Sequence, residues 1–186
     1  MTINWTQEQY VKALRYATEA HCAINQKVPG TEFPYICHPV MVAMEVIAAL
    51  PHHGHCEGNL AISCALLHDT IEDTKVTYED LENCFGAKIA KGVLALSKNK
   101  ELRDKSLQME DSLARIREQP KEVWMVKLAD RITNLMVPPA YWTIDKRKAY
   151  RQEAKLILKE LGEGSEYMAE RLKERIEAYG QYIKPD

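Results

Sequence analysis

NLAISCALLHD, residues 59–69, decides how this chain is read. From Leu60 to Leu67 the run carries no charge, and it then ends abruptly on His68-Asp69. A segment this apolar has no face suited to water, so it predicts a helix buried at the centre of the fold. Its last two residues set a problem, because a buried carboxylate or an unpaired imidazole is costly unless something compensates it. A divalent cation does so, pairing the carboxylate and using the imidazole lone pair.

Outward from this helix, nearly every periodic segment also reads as helix. Thr6-Gln-Glu-Gln9 has the form of a capping box, and Tyr10, Val11, Leu14, Ala17 and Ala20 follow at helical spacing to a first helix ending near His21. Two prolines and a glycine make 25–34 a loop, and Pro39 suits the first turn of a second helix running to Leu50. The chain breaks again over 51–58. Thr77-Tyr-Glu-Asp80 starts another helix and Phe85-Gly86 stops it. Further helices are expected over 87–96, 105–118, 121–135, 145–161 and 165–183. No segment alternates long enough to demand a strand, and no linker or repeat divides the chain. The expectation is one all-α domain spanning 1–186.

Two other places put polar groups beside apolar helices. Asp130 follows Val123, Trp124, Met125, Val126, Leu128 and Ala129, and His38 sits just before Pro39. Taken alone, Asp130 reads as a residue paired with Lys127 or Arg131, and His38 as a turn residue. Taken together, His38, His68, Asp69 and Asp130 form a mixed nitrogen and oxygen set suited to manganese or iron(II), with zinc as an alternative. Such an ion lowers the pKa of a bound water and neutralises phosphoryl charge. Glu72-Asp73 follows the His-Asp pair by one turn. In isolation it is a solvated acidic turn; beside a cation it becomes a candidate for orienting or deprotonating attacking water.

The whole-chain numbers agree with a soluble enzyme. The 186 residues are 46% hydrophobic and 28% charged, with a net charge of −2 that argues against a general nucleic-acid binder. The five cysteines form no CxxC pair, which speaks against a disulfide framework or a zinc knuckle. Met1 to Trp5 and beyond lack the regions of a signal peptide, and no apolar run is long enough to span a membrane, so a cytoplasmic home is expected. The histidines of PHHGHC (51–56) are read as a compositional cue only, and the charges of the last helix as its solvated face.

His38-Pro39, ALLHDTIEDT (65–74), Phe85-Gly86 and VKLADRITNL (126–135) together resemble the hydrolase domain of RelA/SpoT enzymes. With no synthetase domain recognisable, the likeness is to the stand-alone small alarmone hydrolases. It implies an HD-domain helical bundle that hydrolyses the 3′-pyrophosphate of guanosine tetra- or pentaphosphate with Mn²⁺ and releases pyrophosphate. It implies His38, His68, Asp69 and Asp130 as metal ligands, Glu72 and Asp73 as the catalytic acids, and Asn134 as a nucleotide contact. It also points to Lys27, Tyr35, Lys100 (preferred to Lys98) and Arg151 as substrate-binding residues.

Two departures stand out. Gln26-Lys27 replaces the Arg-Lys pair common in this family, and Met136 stands where relatives commonly offer arginine. An arginine stacks on a purine and forks two phosphate oxygens; glutamine and methionine do neither as well. Two further readings therefore accompany the first. One is an HD phosphohydrolase for another nucleotide, such as a nucleoside monophosphate, a deoxynucleotide or a phosphorylated dinucleotide. The other is a non-catalytic nucleotide and metal sensor, against which Glu72 and Asp73 argue. Nothing in the residues fixes an oligomeric state.

Overall fold

A computed structural model describes residues 5–183. Residues 1–4, part of the stretch read above for a leader, lie outside the described residues, as do 184–186. Ten α-helices are found among the described residues, with no strand beyond one isolated bridge between Lys27 and Pro34.

The NLAISCALLHD segment becomes helix α3 (Gly58–Leu67), in which every residue but Asn59 is buried. It is enclosed by α1 (Gln7–Cys22), α2 (Cys37–Ala49), α6 (Ala87–Leu96) and α8 (Lys121–Asn134). Leu60, Ile62, Leu66 and Leu67 are all within 1% of complete burial. Each contributes on the order of 1.5–3 kcal/mol through area removed from water. Close approach to α6 depends on Gly92, where an added Cβ would lie 2.7 Å from Cys64 Sγ and 3.0 Å from Val123 Cγ2.

Helix α8 is the second central rod, and α2 lies against both it and α3. It buries Lys127, Asp130, Arg131 and Thr133 along with its apolar residues. A short helix α4 (Thr70–Asp73) follows His68-Asp69 directly, and α5 (Tyr78–Phe85) then packs on α6. Thr77 and Asp80 cap α5 reciprocally, and Gly86 ends it at φ +85°, a value that only glycine adopts without strain.

Helix α7 (Lys105–Arg117) covers α6 and α8, while α9 (Ile144–Leu161) and α10 (Glu166–Ala178) close the other flank of α8. Arg171 of α10 forks both carboxylate oxygens of Glu45 on α2, tying the last helix to the second.

The expected boundaries differ from the observed ones in instructive places. Thr6 accepts from the Gln9 amide as a capping residue should, but the Gln9 side chain donates 2.9 Å to Ser63 instead of reaching back. Asn59 takes over the Thr6 N–H at 2.9 Å, so tertiary partners replace half of the local box. The second helix starts at Cys37, with Pro39 in its first turn, and ends at Ala49, one residue short of Leu50. The last helix stops at Ala178 and tightens into a 3₁₀ turn over Tyr179–Tyr182. No helix among the described residues is long and apolar enough to cross a membrane.

Candidate metal centre and catalytic acids

His38, in the first turn of α2, and His68, the residue that caps α3, meet with ring centroids 5.2 Å apart. The His68 Nδ1–H faces the Ala65 carbonyl at 2.8 Å, which leaves the Nε2 lone pair aimed inward. That Nε2 is buried and makes no hydrogen bond. Its 2.9 Å approach to Asp69 Oδ2 is favourable only with a cation or a proton between the two electron-rich atoms.

Asp130 divides its two oxygens. Oδ2 takes the buried Lys127 ammonium at 3.2 Å, and Oδ1 faces His38 Nε2 at 3.3 Å while accepting from Asn134 Nδ2. The simple pairing with Lys127 and the role at the centre are thus both present, one per oxygen. Arg131 instead reaches Glu153 on α9 at 3.3 Å and lies over the Tyr150 ring.

The ligand atoms of His38, His68 and Asp130 all lie within 4.8 Å of one another. Asp69 Oδ2 joins them, 2.9 Å from His68 and 3.8 Å from His38. Donors held about 2.1–2.2 Å from one octahedral ion sit roughly 3 Å apart when adjacent and about 4.3 Å apart when opposite. His38, His68 and Asp130 could therefore hold a single divalent cation, with Asp69 beside them. Titration points the same way. Burial pulls His68 down, but Asp69 and then Asp130 push it up to about 9. Burial likewise opposes ionised Asp130, yet Lys127, His68 and His38 hold it well below the usual carboxylate range. Two carboxylates trained on two imidazoles call for positive charge at this point.

Glu72 and Asp73 sit on α4, one turn beyond the metal-facing pair. The Lys98 amide donates 2.8 Å to Glu72 Oε2, and Lys98 Nζ lies 3.3 Å from Oε1. Lys100 Nζ donates only to the Glu72 carbonyl. Lys98 is therefore the cation paired with Glu72, while the Lys100 charge opposes the rise of the Asp73 pKa. Burial opposes the Lys98 charge, but Glu72, Asp130 and Asp69 raise its pKa. Asp73 is pushed up by burial and by Asp69, while a hydrogen bond from Gln26 pulls the other way.

The remaining expected contacts divide. Tyr35 donates its hydroxyl to Asp69 Oδ2, so it supports a metal-facing carboxylate directly. Asn134 lies beside Asp130, one helical turn on. Lys27 pairs with Glu32 on an exposed stretch. Arg151 is turned away, because its Nε donates 2.7 Å to the Ile176 carbonyl of α10. Tyr150 beside it is turned toward α8, under the Arg131 guanidinium. Two contacts went unassigned, Lys98 on Glu72 and His21 on Gln26. His21 extends the buried stripe Ala13, Ala17, His21, a pattern that could have exposed it. The tract His52, His53 and His55 forms no metal group among the described residues: His52 stacks on Tyr167 and His53 meets Ser165.

The rim carries one unusual contact. Gly30, at φ +80°, lies so close to Pro139 that an added Cβ would come within 3.2 Å of it.

Two imidazoles and two carboxylates that could hold an ion in a helical bundle, with an acidic pair one turn on, are the arrangement of the HD class. The HD domain family matches residues 13–163, and the chain belongs to it. The guanosine-3′,5′-bis(diphosphate) 3′-pyrophosphohydrolase MESH1 of Danio rerio is 34% identical over 158 residues, covering 81% of this chain and 83% of that protein. MESH1 of Homo sapiens is 31% identical over 183 residues, 94% of this chain and 97% of the relative. A solved structure, described as a metazoan orthologue of SpoT that hydrolyses ppGpp, superposes with a TM-score of 0.78 at 25% identity, covering 95% of this chain and 98% of that one.

Proposed function

We propose that this chain is a hydrolase that removes the 3′-pyrophosphate of guanosine tetra- and pentaphosphate, with Mn²⁺ held by His38, His68, Asp69 and Asp130. The observation that carries the reading is the convergence of these four side chains at spacings from 2.9 to 3.9 Å, directly beside Glu72 and Asp73. The substrate follows from near end-to-end similarity to proteins named for that activity. When bound, the cation supplies Lewis acidity to a water and to a phosphate oxygen.

The protein's own groups divide the remaining work. Asp73 keeps one carboxylate oxygen outside its bond to Gln26, and its raised pKa suits it to take a proton from water near neutrality. Glu72 has both oxygens on Lys98, so it anchors the 97–100 segment and brings a cation to the side of the site where phosphate charge must be met. Lys127 balances Asp130 from behind.

Incubating the protein with the alarmone and Mn²⁺ tests the reading: release of pyrophosphate and guanosine diphosphate is expected. A second reading keeps the chemistry and changes the nucleotide. Gln26 is engaged with Asp73 and Met136 offers no charge, so two expected nucleotide contacts are missing. Failure on the alarmone with turnover of another member of a nucleotide panel would establish that alternative.

A further inference from the structure

Gln26 stands out as a departure from the Arg-Lys pattern, and its surroundings give the departure a purpose. Its backbone is fixed on both sides: the N–H donates 3.1 Å to the His21 carbonyl, and the carbonyl accepts from the Tyr35 N–H at 3.0 Å. Its side chain is held as well. Nε2 donates 2.9 Å to Asp73 Oδ2, and Oε1 lies 2.6 Å from His21 Nδ1. The His21 ring is buried at the end of α1, 4.8 Å from the Tyr35 ring.

The direction of each bond follows from what the groups can donate. An ionised Asp73 only accepts, so the amide must present its N–H₂ there. Gln26 Oε1 then needs a donor, and His21 Nδ1–H is the group that faces it. His21 therefore carries a proton on Nδ1; burial favours its neutral form, which leaves the buried, unpartnered Nε2 bare. The same short loop therefore grips both carboxylates beyond α3: Tyr35 holds Asp69 and Gln26 holds Asp73.

We propose that Gln26 is a positioning residue for the hydrolytic step, its amide braced by His21 and fixing the Asp73 carboxylate, so that this chain uses position 26 to orient its acid and not to contact the nucleotide. The inference rests on the assignment of Asp73 to proton transfer made above. A merely structural glutamine would need only to fill space, whereas this role requires the donor toward Asp73 and the acceptor toward His21 together.

Two measurements test it. First, ¹⁵N spectra of the metal-free protein with labelled histidine should show His21 as the Nδ1–H tautomer, and Gln26→Leu should lose that signature. Wild-type His21 found as the Nε2–H tautomer would overturn the proposal, whatever the substrate is and whether or not the variant folds. Second, kcat and KM of Gln26→Leu and Gln26→Arg are compared with wild type on whichever nucleotide the wild type turns over best, with bound manganese measured. Gln26→Leu is expected to lose about 10–100-fold in kcat, with KM within about threefold and metal content unchanged. Gln26→Arg, which keeps an N–H for Asp73, should retain more kcat than the leucine variant. A rise in KM at unchanged kcat would overturn the positioning role in favour of a substrate contact. Because the comparison uses the best wild-type substrate, failure on the alarmone alone touches the substrate assignment and leaves this test intact.

Discussion

The floor of the candidate site and its rim hold their charged groups by opposite means. On the floor, His68 and Asp130 project from helices whose other faces are packed, and their side chains are 4% and 11% exposed. Each is oriented by a fixed neighbour: the Ala65 carbonyl for His68, Lys127 and Asn134 for Asp130. On the rim, Lys27 is 53% exposed and its partner Glu32 89% exposed, so the pair is solvated and weakly held. The floor fixes charge by burial; the rim leaves it free to rearrange. Mutations should therefore be severe below and mild above.

The sharpest break of that contrast lies in the floor itself. His68→Ala or Asp130→Asn is expected to lower bound manganese to background and kcat by about 10³-fold or more, since removing a ligand forfeits several kcal/mol of charge stabilisation. Metal analysis beside a turnover assay checks this, and chelation of wild type should reproduce the loss. Tyr35→Phe removes only the hydroxyl on Asp69, and the expected effect is a weakening of metal affinity by about 10–100-fold, read by titration with Mn²⁺.

Gly92→Ala strikes the packing beneath the floor and none of its chemistry. The new methyl must push on Cys64 and Val123, a change expected to cost about 1–3 kcal/mol and lower Tm by roughly 2–12 °C, with metal content unchanged below the transition. On pH, the sign follows from Asp73. Its carboxyl is raised by burial and Asp69, so the ionised form, needed to accept a proton, is lost as pH falls through that raised value. Gln26 opposes the rise; Gln26→Leu should move the acid limb of kcat to higher pH, measured across a pH series. Smallest of all, Lys27→Ala should change KM by no more than about fivefold, because its charge is already shared with Glu32 in water.

Those two regions also differed in how much the sequence disclosed. The helices of the floor are periodic, and their polar interruptions, His68-Asp69 and Asp130, are conspicuous because burial makes them expensive. Which oxygen of Asp130 serves Lys127 and which serves the imidazoles is a matter of side-chain direction, and spacing alone does not carry it. Rim residues give no periodic signal. Which of Lys98 and Lys100 reaches Glu72 with its side chain depends on a turn that spacing does not define, and the bond of Arg151 to α10 is a tertiary contact with no sequence signal. Gln26 was seen only as a missing arginine. Its partners, His21 and Asp73, are 5 and 47 residues away, and only the fold brings them to it.

Gly30 carries one more consequence. With no side chain of its own, it lets Pro139 rest against the backbone of the loop that holds Gln26 and Tyr35. The loop after the first helix and the loop after the eighth thus touch through a position that tolerates no side chain, both for space and because of its left-handed backbone.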